Sequence, residues 1–255
     1  MNNKLMNIIS LSWELSKTEL KLKYRGSILG FLWSLLNPFF TLLTLYIVFH
    51  MFMRLDIPNY ELYLLLGIVL WTFFVKGTLS GLAAIVSKGP IVKKIYFPRE
   101  ILVFSTCLSE FISLIFNLVV FFAMLFLVKP ELATSFIYFP FLLLKLFLLV
   151  FGLALALSAL QVYYRDIQQI WEVLTQAGFW LTPIIYDISI VPQQYVTIYL
   201  LNPVTIIIVS ARNLLIYQQT PDLIGFMSGY LYYILILAAG YYIFTHYEPR
   251  FAEEL

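Results

Sequence analysis

Long apolar runs separated by short polar breaks dominate the chain. Six runs approach or exceed the ~20 apolar residues an α-helix needs to cross a bilayer: 30–53, 60–86, 101–128, 136–160, 170–186 and 225–247. The fifth is short. The periodicity is helical, without the ten-residue alternation of transmembrane barrels. Between the fifth and sixth runs, residues 187–222 are too apolar for an ordinary loop, yet Pro192, Asn202-Pro203 and Pro221 break them. They are read as a re-entrant pair of short helices facing outward, since non-helical backbone at membrane depth must be covered by protein or line a wet cavity.

Residues 1–29 have a different pattern. On a wheel of about 100° per residue, Ile8, Leu11, Leu15 and Leu22 form one apolar stripe, and Ile9, Trp13, Leu20 and Tyr24 form a second on roughly the opposite side. Glu14, Lys17, Lys21 and Arg25 fill one gap. Ser12, Ser16, Glu19 and Lys23 fill the other. A helix lying on lipid needs one apolar face. Two stripes suggest one against lipid and one against protein. The expected fold is an all-α polytopic membrane protein. It has an amphipathic interfacial helix at 1–29, a six-span membrane domain at 30–250 with the re-entrant pair before the last span, and a short tail at 251–255.

Composition agrees with the membrane class. Of 255 residues, 62% are hydrophobic and 12% charged, against about 25% charged in soluble domains, and mean hydropathy is +0.89. The placement of charge sets orientation, because cytoplasmic loops carry the excess of Lys and Arg. One side holds Lys4, Lys17, Lys21, Lys23 and Arg25, then Lys88, Lys93, Lys94 and Arg99, then Arg165 and Arg250. The other holds Arg54, Lys129 and Arg212. Both termini are therefore expected in the cytoplasm. The single cysteine, Cys107, excludes an intrachain disulfide and reads as a small core residue. No cleavable signal peptide is visible.

Charged groups inside spans cost about 2.5–3.5 kcal/mol at the bilayer centre on insertion scales, so Lys76, Glu110, Lys145 and Glu172 need a reason. Glu172 lies near a span end. Lys76 and Glu110 are candidates for an interior pair or a pore contact. Lys145 is placed to reach outer headgroups or to bind a lipid phosphate. The loop between the second and third spans is bounded by Gly89-Pro90 and Pro98. Its apolar residues Ile91, Val92, Ile95, Tyr96 and Phe97 surround Lys93 and Lys94. It reads either as a positively charged loop on anionic lipid or as a docking surface for a cytoplasmic partner.

The segments YRGSILGFLWSLLNPFF (24–40), KGPIVKKIYFPRE (88–100), YYRDI (163–167), LTPIIY (181–186) and LNPVT (201–205), in that order, resemble the ABC-2 type permeases. Among these they are most similar to subunits that export cell-surface polysaccharides of the O-antigen, capsule and teichoic-acid kinds. The resemblance spans about 13–247. It implies a half-transporter: a second copy completes the pore, and two separate ATPase subunits supply power. The chain has no GxxxxGK[ST] phosphate loop, so ATP and Mg would sit on the partner and no cofactor on this chain. The resemblance also implies that Lys88, Pro90, Ile91, Lys93, Lys94, Tyr96, Phe97 and Arg99 form a coupling helix seated on the ATPase. It makes 187–222 external gate helices and places the protein in the cytoplasmic (inner) membrane of a bacterium.

A hydrated sugar polymer slides best over aromatic rings with few charges. Trp33, Asn37, Phe40, Trp71, Phe74, Trp180 and Tyr186 are candidate lining residues, although aromatic residues in spans also face lipid and helix neighbours. Lys21, Lys23 and Arg25 are candidate contacts for the phosphates of a lipid-linked substrate. Anionic bilayer lipid would occupy the same cluster equally well. A permease for a small lipophile is the alternative within the group. A membrane glycosyl- or acyltransferase would need clustered carboxylates or a histidine constellation. The two histidines, His50 and His246, lie near opposite ends of their spans, and no DxD or HxxxxD pattern occurs. No catalytic or metal-binding residues are assigned.

Overall fold

The structure, a computed structural model, describes residues 2–23, 25–27, 29–30, 32–54, 57–94, 97–129 and 134–255, with side chains from Ser10 onward except Ile91. Tyr24, Ile95 and Tyr96, the last a predicted docking residue, lie outside the described residues, as do the side chains of Ile8, Ile9 and Ile91.

Helix α1 (Asn2–Lys23) is followed by α2 (Leu32–Leu45), which runs on as a π-helical segment, Tyr46–Phe52. Then come α3 (Tyr60–Ala83), the short α4 (Gly89–Lys94), α5 (Glu100–Val128), α6 (Phe139–Tyr163) and α7 (Ile167–Leu181). The chain ends with α8 (Gln193–Leu201), α9 (Pro203–Leu215), α10 (Leu223–Ser228), α11 (Tyr230–Tyr247) and α12 (Phe251–Glu254). Among the described residues, five helical stretches are long and apolar enough to cross a membrane, or six if α8 and α9, bent by 102°, count as one. The protein is thus an all-α, multi-pass membrane protein.

Helix α3 is apolar all round and buried on nearly every side, as a central helix must be. Helices α5 and α6 pack on it, and α11 packs on the far side of α6. Cys107 is fully buried in this core, as expected. The α6–α11 contact depends on small residues, the usual device for close approach between membrane helices. A Cβ on Gly240 would lie 1.9 Å from the Gly152 carbonyl oxygen, and one on Gly152 would lie 2.7 Å from Leu237 Cα.

Three expectations are corrected. The fifth run, 170–186, is helical only in part: α7 (Ile167–Leu181) ends at Leu181 and residues 182–186 turn away. Arg212, counted among the charges of the outer loops, is instead held inside the protein, 2% exposed within α9. Lys145 does not reach headgroups. It is buried, donates to the Phe226 carbonyl at 2.6 Å, and sits 3.8 Å from the Phe226 ring centroid. It thereby supplies a donor where the last span breaks between α10 and α11.

Helix α1 also docks differently from the two-stripe reading. Its face against α5 is the polar gap, not an apolar stripe: Ser12 and Ser16 are buried, while Leu11, Trp13 and Leu22 are exposed. Small hydroxyl residues let the helices approach, and Ser16 donates to the Ser105 carbonyl at 2.9 Å.

Candidate functional site

Helix α7 packs on one edge of α3 and leaves an open groove of about 340 Å³. Trp71, Val75 and Leu79, spaced four apart, line the α3 side; Glu172, Thr175, Gln176, Phe179 and Trp180 line the α7 side. Trp71 lies 6.2 Å from Phe179 by ring centroids, and Phe179 lies 5.5 Å from Trp180. The seam is pinned by Trp171, whose Nε1 donates to Thr78 Oγ1 at 2.9 Å. Trp180 is 57% exposed. Gln168, Gln169, Glu172 and Gln176 are exposed on α7 as well, and Gln168 donates to Glu172 at 2.9 Å. Amides and a carboxylate beside indole rings suit water and sugar hydroxyls better than hydrocarbon.

Only some predicted lining residues meet here. Trp71 and Trp180 share the groove. Phe74 is corrected to a packing role, since it is 6% exposed and lies behind Trp71, between it and Trp171. Tyr186 stands at the end of α7, where its hydroxyl donates to the Trp180 carbonyl at 3.0 Å. Trp33, Asn37 and Phe40 are exposed on α2, apart from this groove. They lie there because Ser34, Pro38 and Leu42, at spacing four, form the buried face of that helix.

A rigid knot anchors the turn after α7. Arg212 of α9 donates to the carbonyls of Tyr63 (3.1 and 3.3 Å), Pro183 (2.5 Å) and Ile184 (2.8 Å). Its guanidinium stacks 3.3 Å from the Tyr63 ring centroid. Gly67 makes room, for a Cβ there would lie 2.8 Å from Arg212 Nη2. Tyr60 and Tyr63 donate to the carbonyls of Ile185 and Tyr186, each at 2.8 Å. Asn202 caps α9, accepting from the Val204 amide at 3.0 Å, and Tyr232 and Tyr233 donate to the Leu201 and Pro203 carbonyls. The α8–α9 bend is therefore held from both sides. Sequence reasoning missed this knot. A guanidinium in an apolar stretch was the available signal.

The basic residues divide into bonded and open sets. Lys23 is ion-paired with Glu110 at 2.8 Å, so the carboxylate's partner here is Lys23 and not Lys76. Lys21 and Arg25 are exposed. In the docking segment, Val92 is buried and Lys93 and Lys94 are exposed, with Pro90 in the first turn of α4. Lys88 is ion-paired with Glu19 of α1. Arg99 donates to the Glu248 carbonyl and lies 5.8 Å from the Phe251 ring centroid. Lys88 and Arg99 thus hold the segment to the rest of the chain, and Phe97 packs partly against the core. The surface offered outward centres on Pro90, Lys93 and Lys94.

These features define a multi-pass helical membrane protein with a polar-aromatic groove and a small basic helix between its second and third spans. Residues 11–216 match the ABC-2 type transporter family, and the chain belongs to it. Its members are transport subunits. The chain is 28% identical over 252 residues to the O-antigen export system permease protein RfbA of Klebsiella pneumoniae, covering 94% of this chain and 93% of that protein. It is 27% identical over 243 residues to the O-antigen export system permease protein RfbA of Myxococcus xanthus, covering 94% of each.

Proposed function

We propose that this protein is the membrane-spanning permease subunit of an ATP-driven exporter of lipid-linked cell-surface polysaccharide of the O-antigen kind. The observation that carries the reading is likeness to O-antigen export permeases over nearly the whole chain. The groove between α3 and α7 agrees with it, since two indoles, Gln176 and Glu172 suit a polyhydroxylated polymer better than a small lipophile.

In this reading two copies face one another to close the pore, with the exposed groove and the exposed aromatic face of α2 turned toward it. Two separate ATPase subunits dock against Pro90, Lys93 and Lys94 and carry the ATP and Mg. The chain itself binds no cofactor. Both termini face the cytoplasm across a bacterial inner membrane, and α8 and α9 cover the outer end.

The test is co-expression with an ATPase subunit encoded nearby in the same genome. The two should co-purify, and charge reversal at Lys93 and Lys94 should uncouple ATP hydrolysis from surface display of polysaccharide. Failure to co-purify, or indifference to both reversals, would remove the docking assignment.

A further inference from the structure

Helices α1, α3 and α5 enclose a polar recess that lacks one negative charge. It has two chambers. The outer one, about 340 Å³, is lined by Glu19, Lys23, Lys88 and Glu110 and by hydroxyls such as Ser80 and Ser109. The inner one, about 10 Å³, is lined by Lys23, Ser34, Lys76, Glu110 and Asn117. Lys23 and Glu110 line both, so their ion pair is the partition between them. The outer chamber is roomy for a phosphate with waters, a water taking about 30 Å³ of liquid, whereas the inner one holds about one water probe.

The pairing is uneven. Lys88 is paired with Glu19, and Lys23 with Glu110. Ser80 also donates to Glu110, at 3.1 Å. Lys76, half-buried in α3, makes no hydrogen bond or ion pair among the described residues. Three ammonium groups therefore share two carboxylates, in a membrane-embedded setting where an uncompensated charge is costly. One further anion would give each cation a partner.

We propose that the outer chamber receives the phosphate of a lipid headgroup and that its arrival exchanges partners at Glu110. The phosphate takes the Lys23 ammonium, and Glu110 turns to Lys76 across the opened partition. Lys88–Glu19 stays intact and keeps α1 in place. The lipid is the carrier end of the transported substrate, an assignment that rests on the export reading above. Leu22, 57% exposed on the rim, lies where its apolar chain would pass. Lys76 acts here as a positioning residue: it touches Glu110, not the phosphate.

The exchange predicts effects of opposite sign. In the permease–ATPase complex in phosphatidylcholine nanodiscs, titrated with a polyprenyl phosphate, Lys76→Met removes the second partner of Glu110 and weakens binding about tenfold. Glu110→Gln releases Lys23 and tightens binding several-fold, while Lys76→Arg stays near wild type. Binding of the uncharged polyprenol is indifferent to all three. Unfolding midpoints measured alongside identify any variant that has lost its fold, and Lys76→Arg supplies a folded control. Equal weakening by Glu110→Gln and Lys76→Met, or unchanged binding in Lys76→Met, overturns the exchange. Phosphatidylglycerol or inorganic phosphate reproducing the full pattern overturns the assignment to the substrate carrier. Export that persists in Lys76→Met after binding is lost sinks this site and leaves the export reading standing. A wild-type complex that binds polyprenyl phosphate with the predicted signs but exports no polymer does the reverse.

Discussion

Lys23, at the end of the surface helix α1, grips both carboxylate oxygens of Glu110 in α5, at 2.9 and 2.8 Å. A residue from the amphipathic segment thereby neutralises a buried charge within a span and fixes α1 along α5. Replacing Lys23 by Met removes the charge partner of Glu110, which is 6% exposed, and leaves it Ser80 and, in the exchange proposed above, Lys76. Breaking a fully buried pair costs about 3–5 kcal/mol, and because the Lys23 side chain is a third exposed a loss of about 2 kcal/mol is expected. Thermal unfolding in detergent measures it. Lys23→Met combined with Glu110→Gln should recover most of the loss.

The α6–α11 crossing has no room for a methyl group at Gly240, where a Cβ would meet the Gly152 carbonyl at 1.9 Å. Gly240→Ala must push the helices apart. Overpacking of this kind costs about 1–3 kcal/mol, and the unfolding midpoint should fall by about 2–4 °C for each kcal/mol. Gly229→Ala, with its nearest neighbour the Lys145 ammonium at 3.3 Å, should cost less.

Arg212 satisfies three carbonyls from two segments. Arg212→Ala leaves the Pro183 and Ile184 carbonyls without this donor in a buried site, at a cost of about 3 kcal/mol or more. Arg212→Lys keeps the charge but loses the planar fork and the stacking on Tyr63, and should behave closer to alanine than to wild type. Limited proteolysis of the turn 182–186 reports the loosening directly. A fully protected turn in Arg212→Ala would contradict the anchoring role.

The docking segment separates structural from outward-facing lysines. Lys88→Glu should destabilise the chain through repulsion from Glu19, and the swap Glu19→Lys with Lys88→Glu should restore it. Lys93→Glu and Lys94→Glu, at exposed positions, should leave stability within about 0.5 kcal/mol while weakening co-purification with the ATPase. Pull-down yield and unfolding midpoint, measured on the same preparations, distinguish the two classes.

The spans were legible because bilayer thickness imposes length and apolarity on a local stretch. The bend before Pro203 was legible because Asn-Pro interrupts a helix. The partners of charged residues were not. Lys23 and Glu110 are 87 positions apart, and Arg212 and Tyr63 are 149 apart, so no local period records either contact. The side of α1 that packs was misread for a related reason. Apolarity marks a buried face against water, but beside a membrane it marks lipid equally well, and the small polar residues Ser12 and Ser16 make the close helix contact. Of the lining candidates, Trp71 and Trp180 share the groove. Aromatic content by itself does not separate them from Phe74, which packs behind.

The most direct measurement of the central claim is surface polysaccharide in cells producing Trp180→Ala at wild-type protein levels, beside cells lacking the protein. Without the protein, surface polymer should disappear and lipid-linked polymer should accumulate inside. With Trp180→Ala, export should fall several-fold, through loss of the exposed indole on which the polymer's C–H faces stack. Undiminished surface polysaccharide in cells lacking the protein would contradict the account.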